Sequence, residues 1–159
     1  LVVNGTLTSN GKTFTTTGTG NITINSQSSL QTTTFNSCGL IKLINLDTNS
    51  VMSSLTLNSC TGLQVEGGNV DITTLTINSA TSENYLITDS NHTGTISSIT
   101  FDVDNNFNTK NLINLSNTST TLSGEITIKT TDTSVELTKD LDIFKISNYD
   151  TAETFPDVK

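Results

Sequence analysis

The residues best suited to chemistry are one histidine, two cysteines and two nearby aspartates: His92, Cys38, Cys60, Asp102 and Asp104. A nucleophilic cysteine needs a base or a cation beside it, and His92 lies far from both cysteines in the register of the repeats. The two aspartates are two residues apart, so on a strand they would point to the same side as a carboxylate pair. Because nothing brings a nucleophile, a base and an orienting group together, we expect no enzymatic activity.

The segment 102–108 resembles the start of an EF-hand calcium loop. Phe107 occupies the position that requires glycine, and Ile113 stands where the bidentate acid belongs. We interpret the segment as a solvated polar loop, and we expect neither a bound metal nor a cofactor.

The elements that would position these residues come from a repeat. The phrase reads Leu-Thr-Leu-Asn-Ser-Cys at 55–60 and Leu-Thr-Ile-Asn-Ser-Ala at 75–80, with related phrases at 34–38 and 99–103. Phe35 to Leu57 is 22 residues, Leu57 to Ile77 is 20, and Ile77 to Phe101 is 24. Repeats of this length are typical of solenoids.

Apolar residues alternate with polar ones in short clusters, which indicates strands with one buried side. We therefore predict an all-β fold, a right-handed parallel β-helix (β-solenoid) with about 20–27 residues per coil. Each coil should contain three strands. The first strand is the one that contains the repeated phrase, and we call it the phrase strand. The second strand begins near Leu40, Leu63, Tyr85, Leu112 and Val135. The third strand lies at 51–52, 70–72, 95–96, 121–122 and 141–144.

Three regions are expected. Residues 1–30 are predicted to form irregular first coils or an N-terminal cap, with a turn at 9–12; residues 31–146 form the coils, and 147–159 form a C-terminal cap or linker. Since the first residue is Leu, we interpret the sequence as a processed or excised segment of a longer protein.

The turns predict side-chain ladders. Asn36, Asn58, Asn78 and Asp102 should stack at one corner, where amides can hydrogen-bond along the axis and Asn or Asp tolerates a left-handed backbone. Cys38 and Cys60 should also be neighbours, close enough either for a disulfide or for a ladder of reduced, buried thiols that Ala80 continues.

The charge limits the partners. The chain has seven lysines, no arginine and fifteen acidic residues, for a net charge of -8. Nucleic-acid binding depends on clustered cations and bidentate guanidinium groups, so we expect no nucleic-acid partner. No apolar run is long enough to span a bilayer, and we expect no membrane insertion.

Recognition is expected in loops that leave the longer coils. The candidate binding residues are Asn84, Asp89, Asn91, His92, Asp104, Asn106 and Lys110. An ice-binding face is a further alternative, because Thr-x-Thr occurs at 13–15, 15–17 and 32–34. Later phrase strands carry one Thr between two hydrophobic residues, so we expect that array to be absent.

Residues from about Ile22 to Ile146 resemble the passenger region of secreted bacterial adhesins of the autotransporter or filamentous-haemagglutinin type. The resemblance rests on the Leu-Thr-Leu-Asn-Ser repeats, the Asn ladder, the surface rich in Thr, Ser and Asn, and the scarcity of Arg, Trp and Pro. It implies a secreted, non-catalytic segment at the cell surface that attaches to a host glycan or protein receptor. The alternative is a structural subunit that assembles end to end into an extracellular filament or coat.

Overall fold

The computed structural model describes residues 1–4, 8–16, 20–25, 29–46, 50–80, 86–88, 92–103, 113–115, 120–129 and 144–146. Every regular element in these ranges is a strand. The strands are β1 (Val2–Asn4), β2 (Thr8–Thr15), β3 (Ile22–Asn25), β4 (Ser29–Asn36), β5 (Leu40–Ile44), β6 (Ser50–Met52), β7 (Ser54–Asn58), β8 (Gly62–Glu66), β9 (Val70–Ala80), β10 (Leu86–Thr88), β11 (Thr95–Val103), β12 (Ile113–Leu115), β13 (Thr121–Leu122), β14 (Ile126–Lys129) and β15 (Phe144–Ile146).

These strands form two parallel sheets that wind around one core. Sheet I has the order β1-β3-β5-β8-β10-β12-β15, and sheet II has the order β13-β11-β9-β7-β4-β2, with β14 beside β11 and β6 beside β9. Strands adjacent in a sheet are one coil apart in sequence, which is the arrangement of a β-solenoid. The predicted parallel stack is confirmed.

Residues at equivalent positions pile up in rows. In sheet II the row runs through Phe35, Leu57, Ile77, Phe101 and Ile128. All of these are fully buried except Ile128, which is partly buried against the core. A strand period of two sends every second residue inward, so each coil adds one member to each row.

The third and first predicted strands of consecutive coils belong to the same sheet. Strand β9 contains both Val70–Ile72 and Leu75–Ile77, and β11 joins 95–96 to 99–101 in the same way. The burial pattern shifts between the two halves, because Thr73 and Thr74 both point away from the core between buried Ile72 and Leu75. Strand β9 therefore continues through a corner around the core, and the two predicted strands lie in one sheet.

Two sequence assignments are corrected. Residues 9–12, predicted as a turn, lie inside β2, where the pairing with β4 shifts register twice, between Ser9 and Asn10 and between Asn10 and Lys12. Such irregularities absorb extra residues without ending a strand. Phe144 was assigned to a third strand, but it pairs with Ile113 in sheet I. The second strand predicted near Val135 lies outside the described residues, as does the segment 147–159.

The N-terminal region already takes part in the stack. Strand β1 pairs with β3, which pairs with β5 in continuous register, and β2 pairs with β4. The pairing of β2 with β4 has two register shifts, whereas that of β11 with β9 has one.

The corners need left-handed backbone, but not at the predicted residues. Ser37 and Ser59, which follow the ladder asparagines, have φ of 53° and 52°. Their N–H groups donate along the axis to the carbonyls of Asn58 and Asn78 at 2.9 and 3.0 Å. Asn36 and Asn58 are the last residues of β4 and β7, whereas Asn78 lies inside β9.

Candidate functional site

The predicted asparagine ladder is present. Asn58 Nδ2 donates to Asn36 Oδ1, and Asn78 Nδ2 donates to Asn58 Oδ1, each over 2.7 Å. Asp102 pairs with Asn78 in the backbone register and continues the row. Lys129 follows Asp102, with Nζ 3.9 Å from Asp102 Oδ2. The ladder therefore uses its polar groups within the protein, as expected of a structural element.

Neither cysteine forms a disulfide and both are buried, so the reduced alternative is the one found. Cys38 Sγ lies 3.3 Å from the carbonyl oxygen of Asn36, and Cys60 Sγ lies 3.5 Å from that of Asn58. Burial, together with neighbouring Cys38, raises the pKa of Cys60 to about 11. At neutral pH its sulfur is protonated, which makes it a poor nucleophile and a poor metal ligand.

His92 was predicted to be a loop residue available for binding, and this is wrong: its side chain has no exposed surface. Its Nδ1 lies 2.8 Å from Thr120 Oγ1 and its Nε2 lies 3.3 Å from the carbonyl oxygen of Val70. The carbonyl can only accept, so Nε2 carries a proton and donates it. Val70 belongs to the preceding coil and Thr120 to the following one. The imidazole thus links coils along the axis, as the asparagines do.

The other predicted binding residues remain predictions. Asn84, Asp89, Asn91, Asp104, Asn106 and Lys110 lie outside the described residues. The predicted carboxylate pair of Asp102 and Asp104 lies partly outside them as well.

A surface that the sequence analysis missed lies on the outer side of sheet II. One outward row consists entirely of threonines, which we call the threonine row; its members, in unbroken pairing, are Thr13, Thr34, Thr56, Thr76, Thr100 and Thr127. A second row of hydroxyl residues, which we call the corner row, lies two residues before the threonine row in each strand. Its members are Thr32, Ser54, Thr74 and Ser98. Together the two rows form what we call the hydroxyl face.

The strict Thr-x-Thr motif recurs at 74–76 and is replaced by Ser-x-Thr at 54–56 and 98–100. These later coils therefore carry a second hydroxyl residue, which precedes the first hydrophobic residue of the phrase. The central leucine or isoleucine of each of these triplets is buried. The sequence pattern is Ser or Thr, then a core residue, then Thr, and it occurs in four successive coils, at 32–34, 54–56, 74–76 and 98–100.

The hydroxyl face has a regular spacing. Neighbouring strands lie about 4.8 Å apart, and outward residues of one strand are separated by roughly 6.6 Å. The side chains of Thr34, Thr56, Thr76 and Thr100 have no hydrogen bond to another described residue. Near the ends, Thr32 Oγ1 lies 3.3 Å from Ser53 Oγ, and Thr127 Oγ1 donates to Glu125 Oε1 over 2.9 Å. The central hydroxyls are thus left to bind water or a ligand.

The outer side of sheet I differs in both size and charge. Its equivalent row contains Thr23, Lys42 and Gln64. Lys42 Nζ contacts Glu66 Oε1 at 3.2 Å. Long and charged side chains interrupt any regular pattern there, so the hydroxyl rows belong to sheet II.

Within the described residues, no three His, Cys, Asp or Glu side chains are grouped to hold a metal ion. That part of the chain also has no helix long and apolar enough to cross a membrane. Comparison with protein-family models, curated proteins and solved structures finds no match to this chain.

Proposed function

We propose that this chain is a non-catalytic binding segment of a secreted or cell-surface protein, in which a rigid β-solenoid presents binding surfaces for attachment to a host glycan or protein receptor. The observation that carries the proposal is the continuous stack itself, with buried apolar rows and hydrogen-bonded ladders inside and a regular polar surface outside. Such a stack keeps its surface residues in fixed positions over many coils.

The chemistry of the described polar residues supports binding rather than catalysis. Cys60 is a protonated thiol at neutral pH, and both nitrogens of His92 are held by neighbouring coils. The ladder amides of Asn36 and Asn58 hydrogen-bond to each other. These groups stabilise the stack, so attachment is assigned to the surface and to the predicted loops.

A binding assay tests the proposal. The purified segment is coupled to fluorescent beads and applied to a glycan array and to cultured cells. Saturable binding is expected, and Asp104→Ala with Asn106→Ala should weaken it. Gln64→Ala, on the outer side of sheet I, is the control and should bind as the wild type does. Absence of binding to every glycan and cell type would refute attachment by this segment.

End-to-end assembly into a filament is a second candidate, supported by the ends of the stack. Among the described strands, β1 pairs only with β3 and β2 only with β4. Unpaired strand edges can add another chain. Light scattering on the purified segment separates the two candidates, because rods that lengthen with protein concentration support assembly, and a monomer of constant size contradicts it.

A further inference from the structure

Six threonines follow one another along sheet II with no residue of another type between them. At about 4.8 Å per strand the row is roughly 24 Å long. The corner row runs beside it through four coils. We propose that this hydroxyl face binds the surface of ice, a further function that uses none of the residues predicted for attachment.

The first reason is regularity. Ice presents a repeating lattice of oxygen atoms, so a protein that binds it needs groups repeating in two directions on a similar length scale. The rows supply one repeat along the axis, and the strands supply the other. The pairing from Thr34 to Thr127 has no register shift, since the shift in β11 comes after Asp102.

The second reason is rigidity. Side-chain ladders fix the arrangement of neighbouring strands in a sheet. The ladder of Asn36, Asn58 and Asn78 runs immediately beside the threonine row. The apolar row of Leu57 and Ile77 lies beneath it, fully buried. Threonines held between these rows have few rotamers, because their Cβ atoms are branched.

The third reason is the chemistry of threonine. Its hydroxyl can occupy a place in a water lattice, and its methyl group orders the neighbouring water without competing for hydrogen bonds. The hydroxyls of Thr56, Thr76 and Thr100 have no described partner in the protein. Ordered water at such a face costs little further entropy when it joins a crystal.

Other ligands fit this face less well. Sugars in polysaccharides are commonly held by stacking on aromatic rings, and the two rows contain no aromatic residue. Phosphate groups need cations, and neither row contains lysine. The nearby charges, on Asp102, Glu125 and Lys129, lie at the C-terminal end of the stack. An uncharged crystalline lattice is the surface that this chemistry matches.

Partition into growing ice provides the test. A fusion of the segment to a fluorescent protein is frozen slowly from dilute solution, and the fraction in the ice is compared with that of the fluorescent protein alone. The wild-type fusion should be enriched in the ice. Thr56→Lys with Thr76→Lys should lose this enrichment, because two long charged side chains would stand in the middle of the lattice contact.

The matched control is Thr23→Lys with Gln64→Lys, which adds the same charge to the outer side of sheet I and should remain enriched. Circular dichroism confirms that each variant is folded, and Thr100→Lys provides a second disruption if the double variant does not fold. Exclusion of the wild-type fusion from ice overturns the inference, as does equal enrichment of both double variants. Binding of the wild type to crystalline cellulose without enrichment in ice would instead identify a polysaccharide face. The binding assay on cells tests the attachment proposal separately, so either proposal can fail while the other stands.

Discussion

The side-chain amide of Asn58 donates to the side-chain oxygen of Asn36 over 2.7 Å. The oxygen of Asn58 in turn accepts from Asn78 over the same distance. One residue in the middle of the ladder therefore satisfies a partner in the coil before it and another in the coil after it. Each asparagine thus couples neighbouring coils directly, in addition to the backbone hydrogen bonds of the sheet.

Replacing Asn58 by Ala should lower the free energy of unfolding, because it breaks the asparagine ladder. It removes two hydrogen bonds and leaves half-buried polar atoms on Asn36 and Asn78 unpaired. Unpaired buried groups cost about 1–3 kcal/mol each, and partial exposure places the total near the lower end of that range. Urea unfolding of the wild type and the variant measures this loss of stability. Gln64→Ala, also a half-buried outward position, should change the free energy of unfolding by less than about 0.5 kcal/mol. Equal effects of the two substitutions would contradict the ladder's role.

The repeat register was predictable because hydrophobic spacing alone determines which residues meet. Leu57 and Ile77 occupy the same place in the repeated phrase, and they pair in sheet II. The position of His92 was not predictable, because its neighbours Val70 and Thr120 are 22 and 28 residues away and share no motif with it. The local sequence Asn91-His92-Thr93 has the composition of an exposed loop.

The hydroxyl face was missed for a different reason. Serine and threonine fill its corner row interchangeably, as at Ser54 and Thr74, so a search for identical Thr-x-Thr motifs does not find it. Only the strand register shows that these residues occupy equivalent positions. The bend within sheet II was hidden as well, because Thr73-Thr74 has the composition of a strand and contains neither Gly nor Pro.

Gly94→Ala should be severely destabilising. A Cβ at Gly94 would meet the backbone carbonyl oxygen of Val70 in the preceding coil, so the two coils would have to separate. Forced overpacking costs about 1–3 kcal/mol, and a backbone contact cannot be relieved by side-chain rotation. Gly20→Ala is the control, since its Cβ would lie 3.9 Å from the nearest atom, Thr16 Cβ. Thermal unfolding of the two variants should differ clearly, and similar midpoints would show that the coils do not approach as described.

Cys60 should make stability depend on alkaline pH. Its pKa is raised from 9.0 to about 11 in the folded state, chiefly by burial. Below the unfolded-state pKa the thiol is protonated in both the folded and the unfolded state, and its contribution to the free energy of unfolding is fully present. As pH rises from about 9 to about 11 the unfolded chain releases the proton first, so stability is lost. The difference in unfolding midpoint between the wild type and Cys60→Ala should therefore change over this window. A difference that stays constant from pH 8 to 11 would show that the thiol ionises equally in both states.

Thr88→Val should stabilise the protein. The Thr88 hydroxyl is buried without a hydrogen-bond partner, and Thr88 pairs with buried Val65 in sheet I. Valine has nearly the same shape and removes the unpaired hydroxyl, so the gain should be about 1–2 kcal/mol, toward the lower end of the cost of such a group.

Thr33→Val provides the matched comparison for that change. Thr33 is also buried, in the row of Leu55, but it is not without a partner. Valine there removes an interaction that the folded protein uses, so stability should fall by about 0.5–1.5 kcal/mol. Chemical denaturation of both variants measures whether the free energy of unfolding rises or falls in each. A loss of stability in Thr88→Val would mean that its hydroxyl is hydrogen-bonded in solution, and a gain in both variants would mean that the inward rows favour apolar side chains regardless of pairing.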